Sequence, residues 1–185
     1  MRIIAGQYRS VPLAAVGKGD AGAHLRPTTD RVRESLFNVL NAYDVIEGAH
    51  VLDLFAGTGA LGLEALSRGA QSVTFVDDGR VAQKLMRDNI ARLRVADRTR
   101  IIARDALRLP VCDTEPCDLV FLDPPYGKGL GEKALMAAQD AGWLAAEALV
   151  VWEESAPVTP PAGFRPEDQR RYGDTHITVL SKSGG

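Results

Sequence analysis

The residues best suited to chemistry are Asp123-Pro124-Pro125-Tyr126. Two adjacent prolines fix the backbone and remove two N–H donors, leaving carbonyl acceptors facing outward. An Asp123 oxygen together with the Pro124 carbonyl can then receive both hydrogens of a planar NH2 group. That grip gives the nitrogen lone pair tetrahedral character and aims it at a methyl donor, while Tyr126 can stack on the ring that bears the amine. A bare Asp-Pro-Pro triplet is as often a rigid strand-to-loop turn. Position within the fold must decide between the two.

A second cluster lies seventy residues earlier. In Asp53-Leu-Phe55-Ala-Gly57-Thr-Gly59-Ala-Leu-Gly62 the three glycines satisfy G-x-G-x-x-G, between a strand and a helix. Glycine lets the backbone turn tightly and lets a ligand press against it. Asp77, at the end of the next strand, is placed for a ribose diol, which NAD and S-adenosylmethionine share. Two further acids tilt the choice toward S-adenosylmethionine. Asp53, inside its strand, can face the sulfonium and amino-acid end, and Asp105, ending a third strand, can accept from the adenine amino group. Acids at three successive strand ends exceed what a plain tight turn needs.

The elements that must position these residues read clearly. HVLDLFA, SVTFVD, TRIIARD, CDLVFLD and ALVVWEE are short apolar runs, alternating with helical spacing in ALGLEALSRG, RVAQKLMRDNIARL and GEKALMAAQDAGWL. An earlier helix in RPTTDRVRESLFNVLNAY turns Val32, Leu36, Val39, Leu40 and Tyr43 to one face, and Thr28 or Thr29 can cap it. In RVAQKLMRDNIARL the inner face reads Val81, Leu85, Ile90 and Leu93. Such alternation predicts an α/β fold, a mostly parallel sheet with helices on both faces. RIIAGQYRSVPL reads as one or two strands, a short N-terminal β extension. At the other end DQRRYG and THITVLSK, joined by Gly173-Asp174, read as an antiparallel hairpin. By analogy with Rossmann-like methyltransferases, this predicts a seven-stranded sheet. Residues 1–25 are assigned to the extension and 26–185 to the main domain.

Length and composition are consistent with this. The chain has 185 residues, 45% apolar and 25% charged, enough for one domain with its own core. No apolar run approaches a membrane span, and MRIIAGQYRS lacks a secretory apolar region. Cys112 and Cys117 have too few neighbouring ligands for a metal site, since His24, His50 and His176 form no pair; reduced cytoplasmic thiols are expected. The net charge of −2 is uneven: six basic residues against three acidic ones give residues 1–35 a charge of +3 and leave −5 elsewhere. A polyanion can meet that end of the protein through Arg2, Arg9, Arg26, Arg31 and Arg33. For Arg31 and Arg33 a solvated helix face explains the charge equally well, and Arg26 with Thr28 can alternatively close over a cofactor. Trp143 and Trp152 read as packing residues, and His50 as a strand-edge residue.

Taken together, RIIAGQYRS, LRPTTDRVRESLFNVL, LDLFAGTGALGLEALSRGA, FLDPPYGKGL and GWL…ALVVWEE resemble the RsmD family of bacterial 16S rRNA guanine-N2 methyltransferases. The resemblance covers nearly the whole chain. It implies S-adenosylmethionine as donor and, as acceptor, the exocyclic N2 of one guanine in 16S rRNA on an assembling 30S particle. It implies Asp53, Phe55, Gly57 and Gly59 lining the donor site, Asp77 or Asp78 on the ribose, Asp105 with Ala106 on the adenine, and Asp123, Pro124, Pro125 and Tyr126 at the acceptor. The adjacent Asp77-Asp78 pair departs from the family's usual spacing; Asp77 is preferred because it ends the apolar strand. A cytoplasmic monomer with no metal is expected. The alternatives are a DNA adenine-N6 methyltransferase, an NAD-dependent oxidoreductase and a non-catalytic RNA-binding assembly factor. The first lacks room for a target-recognition region, the second leaves Asp-Pro-Pro-Tyr unexplained, and the third predicts decayed motifs.

Overall fold

Strands and helices alternate along the chain as the spacing requires. The computed structural model describes residues 1–16 and 28–183. Among them are helices α1 (Asp30–Asn41), α2 (Ala60–Ser67), α3 (Arg80–Leu93) and α4 (Leu130–Asp140). The strands are β1 (His50–Leu54), β2 (Ser72–Val76), β3 (Thr99–Ile102), β4 (Cys117–Leu122), β5 (Leu144–Glu154), β6 (Phe164–Tyr172) and β7 (Thr175–Lys182). They form one sheet in the order β3-β2-β1-β4-β5-β7-β6. β1 to β5 pair in parallel, and β7 runs antiparallel to both β5 and β6. The expected seven-stranded, mostly parallel α/β sheet with its terminal hairpin is what forms.

Period-two alternation splits the core across the sheet. Val51, Phe75, Phe121, Val151 and Val179 pack with α1, α2 and α3 on one face. Leu52, Val76, Leu122, Val150 and Leu180 pack with α4 and Trp143 on the other. Each parallel strand is therefore covered twice, which is why these runs are apolar throughout. The strand order reverses at β1, so the carboxyl ends of β1 and β4 flank a crevice of the kind that binds ligands in open α/β sheets.

Several expected boundaries move. α4 stops at Asp140 because Gly142 turns left-handed (φ 83°), and β5 then starts at Leu144. Trp143 is wholly buried and donates from Nε1 to the Pro110 carbonyl at 2.8 Å. β6 reaches back to Phe164 and tolerates Pro166 because it is the sheet edge. The buried face of α1 is Arg33, Leu36, Phe37 and Leu40, not the face through Val32, Val39 and Tyr43. On α3 the half-exposed Val81 and the part-buried Leu85 yield to Ala82, Met86 and Asn89. Thr29 caps α1, its hydroxyl accepting from the Val32 N–H at 3.2 Å.

The start of the chain forms the β extension only briefly: the Ile3 N–H donates to the Val11 carbonyl and the Leu13 N–H to the Met1 carbonyl, each at 3.0 Å. Residues 1–13 form a tight loop with a single β-bridge, Arg2 to Pro12. The cause is competition for backbone donors. Glu64 on α2 takes the Ile4 and Ala5 N–H groups at 2.8 and 3.1 Å, and Ser67 takes those of Gln7 and Tyr8. Gly6 presses so closely on α2 that a Cβ there would lie 1.9 Å from the Ser67 carbonyl oxygen. Ile3 and Leu13 are buried in the same core as α1 to α3. Further along, Asn89 of α3 holds Ala14 by both its N–H and its carbonyl, and also reaches the Thr58 carbonyl. The segment thus runs beside α2 and ends against the loop that follows β1.

Candidate active site

The loop after β1 is built from unusual backbone. Phe55, Gly57 and Gly59 all have positive φ (56°, 59° and 81°), and Gly59 caps α2 without a side chain. At Gly62 a Cβ would lie 2.6 Å from the Phe75 ring and 3.1 Å from Asp53 Oδ2, so the third glycine serves helix-to-sheet packing. Asp53 is buried, and its Oδ2 accepts the Gly62 N–H at 3.1 Å, tying the end of β1 to the first turn of α2. Burial holds the Asp53 carboxyl well above the usual carboxylate range; the Gly62 hydrogen bond opposes this and the charge of Asp77 adds to it.

That burial makes a prediction. Folding disfavours ionised Asp53, so its contribution is full below the unfolded value near 4 and is lost as pH climbs toward the raised folded value. Asparagine keeps an acceptor for Gly62 without the charge. Asp53→Asn is therefore expected to be more stable than wild type at pH 7, and to lose that advantage at pH 4. Urea midpoints at the two pH values measure it; equal differences at both would contradict it.

Asp77 joins two loops. Its Oδ2 accepts the Gly57 N–H at 2.9 Å and its Oδ1 the Gly79 N–H at 2.8 Å, while its carbonyl accepts from Gln83. Burial raises its pKa, the two backbone hydrogen bonds lower it, and Asp78 raises it. Asp78 is exposed, so of the adjacent pair it is Asp77 that faces the glycine loop. Asp105 is half-buried and accepts the Leu107 N–H at 2.9 Å, with Ala106 buried beside it.

Asp123 follows β4, one strand over. Its N–H reaches the Leu54 carbonyl at 3.5 Å, which brings the Asp-Pro-Pro-Tyr turn beside the glycine loop. Pro124 is buried, Pro125 exposed and Tyr126 half-buried. The Tyr126 hydroxyl donates to Glu153 Oε1 at 3.0 Å and lies 3.5 Å from Thr175 Oγ1. Burial, with Glu153 adding, pushes the phenol up to about 12. Asp123 is held well above the carboxylate range, first by burial, then by the charges of Glu153 and Asp53 and by hydrogen bonding to Glu153.

Glu153 was not legible as a site residue. It is 8% exposed, and its Oε2 accepts from the Thr28 hydroxyl at 3.0 Å. The register pairs Leu122 with Trp152, so one step on, Glu153 lies beside Asp123. An acid ending a doubly covered strand was the available signal.

The five arginines separate. Arg2 and Arg31 are exposed near the start of α1, Arg31 three residues after Thr28 and Arg2 3.9 Å from Asp30. Arg9 is exposed near the far end of α2, by Ser67. Arg26 lies outside the described residues. Arg33 is a correction: it is fully buried against Asp30 and Glu64 and cannot reach a phosphate. His50 bonds Ser72 at the opposite edge of the sheet. Cys112 and Cys117 are free thiols. Among the described residues no cluster of His, Cys, Asp or Glu is arranged to hold a metal, and no helix is long and apolar enough to cross a membrane.

Comparison with known proteins follows the same outline. The family model described as Conserved hypothetical protein 95 matches residues 1–181. Ribosomal RNA small subunit methyltransferase D of Escherichia coli (strain K12) is 42% identical over 167 residues, 89% of this chain and 81% of that protein. The protein of that name from Haemophilus influenzae is 37% identical over 169 residues, 89% of this chain and 84% of its own. A solved structure of the Escherichia coli protein yhhF, assigned as a methyltransferase, superposes with a TM-score of 0.85 at 38% identity, covering 100% of this chain and 99% of that one. The chain therefore belongs to the Conserved hypothetical protein 95 family, the RsmD family of class I methyltransferases.

Proposed function

We propose that this protein transfers a methyl group from S-adenosylmethionine to the exocyclic N2 of a guanine in 16S rRNA, on an assembling 30S subunit. The observation that carries the reading is the placement of Asp123-Pro124-Pro125-Tyr126 beside the glycine loop. The resident groups fit the donor: a side-chain-free turn at Gly57 and Gly59, and a half-buried Asp77 carboxylate whose oxygens each carry one backbone hydrogen bond and keep a lone pair. Asp77 takes the ribose, Asp105 with Ala106 the adenine, and Asp53 with Phe55 shapes the methyl-bearing end. When bound, S-adenosylmethionine supplies an electrophilic methyl on a sulfonium.

The chain's own part is alignment. Asp123 and the Pro124 carbonyl hold the amine hydrogens, Pro125 stiffens the turn and Tyr126 stacks on the flipped base. An aromatic amine is a weak nucleophile, so rate must come from holding it at near-attack distance. The reading places a monomer in the cytoplasm and treats residues 1–25 as an RNA-facing extension of a domain spanning 26–185. Labelled donor, 30S particles from cells lacking the protein, and mass analysis of the digested rRNA test it. N2-methylguanosine at one position is expected; label in another base, or none, overturns it.

Arg2 and Arg31, exposed near the start of α1, are the phosphate contacts for the RNA. Neutralising both is expected to reduce the salt slope of RNA binding by about 2, whereas Arg9→Ala changes it less. A slope unchanged in the Arg2/Arg31 double variant would exclude them.

A further inference from the structure

Glu153 is a buried carboxyl that the alignment mechanism does not use. Its two oxygens accept from hydroxyls on opposite sides, Tyr126 from the turn after β4 and Thr28 from the chain leading into α1, each at 3.0 Å. Parallel register sets it beside Asp123, and its charge helps to hold the Asp123 carboxyl up. Asp53 from β1 and Glu154 from β5 also bear on Asp123, and Thr175 of β7 meets Tyr126. None of these groups is a cation. Among the described residues no ion pair includes Asp123 or Glu153. Two neighbouring carboxyls with no cation beside them among the described residues disfavour double ionisation, and one shared proton relieves it.

We propose that Glu153 is a positioning residue of the acceptor site: it shares one proton with Asp123, so that Asp123 meets the amine through a neutral acid's carbonyl oxygen and relays the amine's surplus proton to Glu153. This rests on the methyltransferase reading above. The balance is simple. As the N–C bond forms and the S–C bond breaks, the nitrogen becomes cationic. It gives a proton to the Asp123 carbonyl oxygen while the Asp123 hydroxyl proton passes to Glu153. Asp123 ends as it began, Glu153 ends protonated, and that proton goes to solvent after the product leaves. The Tyr126 and Thr28 hydroxyls donate to both Glu153 oxygens and fix the carboxyl, and through Tyr126 the same residue fixes the ring that stacks on the base.

The test has one arm that needs no RNA. In the free protein, carboxyl-13C NMR follows the titration of Asp123 in wild type and Glu153→Gln. Loss of the neighbouring charge is expected to move the Asp123 midpoint to lower pH. In Glu153→Asp the charge stays but is drawn back by one methylene, so a smaller downward move of the Asp123 midpoint is expected, and this decides the matter should Glu153→Gln not fold. In single turnover, Glu153→Gln is expected to lower the plateau rate at least about tenfold and to move the alkaline limb of the pH–rate profile downward with the Asp123 midpoint, with Glu153→Asp restoring part of the rate. Unmoved midpoints overturn the pair. Moved midpoints with a wild-type plateau and limb overturn its part in the reaction. If wild-type protein methylates no rRNA, the functional reading fails while the NMR arm still decides the pair.

Discussion

Replacing Asp123 by alanine is expected to lower single-turnover methyl transfer by about 10²–10³-fold while leaving donor binding essentially unchanged. Asp123 is the only carboxyl in the turn after β4, and its backbone is fixed by the Leu54 carbonyl and by two prolines. Removing its side chain leaves the turn in place and takes away one of two acceptors for the amine hydrogens. Asp123→Asn is expected to fare little better, because an amide cannot take up the amine's proton and pass one on to Glu153. Tyr126→Ala separates stacking from alignment. Base-to-aromatic stacking contributes about 1–3 kcal/mol, so a loss of roughly 5–150-fold is expected. Tyr126→Phe, which keeps the ring but drops the hydroxyl held by Glu153, falls between wild type and alanine. Near-normal rates for both Asp123→Ala and Tyr126→Ala would remove this turn from the chemistry.

The parts of this site that sequence reveals are those whose backbone is specified locally. Glycines at 57 and 59 announce a turn that only they enter cheaply, and paired prolines at 124 and 125 announce a rigid acceptor wall. The choice of Asp77 over Asp78 also follows locally, since the strand's alternation turns one inward and leaves the other exposed. Glu153 and Thr28 are different. Nothing near either in the chain marks a site; they matter because β5 lies beside β4 and because α1 begins over the sheet's carboxyl edge. Long-range pairing also explains why the β extension at the start of the chain is so short. RIIAGQYRS alternates like a strand, but its N–H groups are claimed by Glu64 and Ser67 of α2. The face of α1 was misjudged for a related reason. Arginine reads as surface at any helical position unless a buried acid waits on another element, and Glu64 is that acid.

Replacing Glu64 by alanine is expected to destabilise the protein by about 3–5 kcal/mol, the largest stability effect of any single exchange argued here. Glu64 and Arg33 are both fully buried. Glu64 Oε1 accepts from Ile4 and lies 3.4 Å from Arg33 Nε; Oε2 accepts from Ala5 and from Arg68 Nε at 2.9 Å. Arg33 in turn reaches Asp30 at 2.9 Å and the Arg2 carbonyl, while Nε and Nη1 make no hydrogen bond of good geometry. Burial lowers the Arg33 pKa, and Glu64, then Asp30, raise it again. Glu64→Ala strips that buried cation of its principal counter-charge and two backbone N–H groups of their acceptor. Arg33→Met costs less, because it removes the unsatisfied guanidinium atoms along with the charge. The double variant Arg33→Met/Glu64→Gln is expected to be more stable than Glu64→Ala alone, since no unpaired charge stays buried. Urea midpoints give all three. Because Glu64 binds residues 4 and 5 directly, Glu64→Ala also frees the first residues to protease before global unfolding, and Arg33→Met does so less. Equal midpoints for Glu64→Ala and wild type would mean that the cluster is relieved by water or rearrangement, and that packing by Ile3 and Leu13 alone holds the start of the chain against α2.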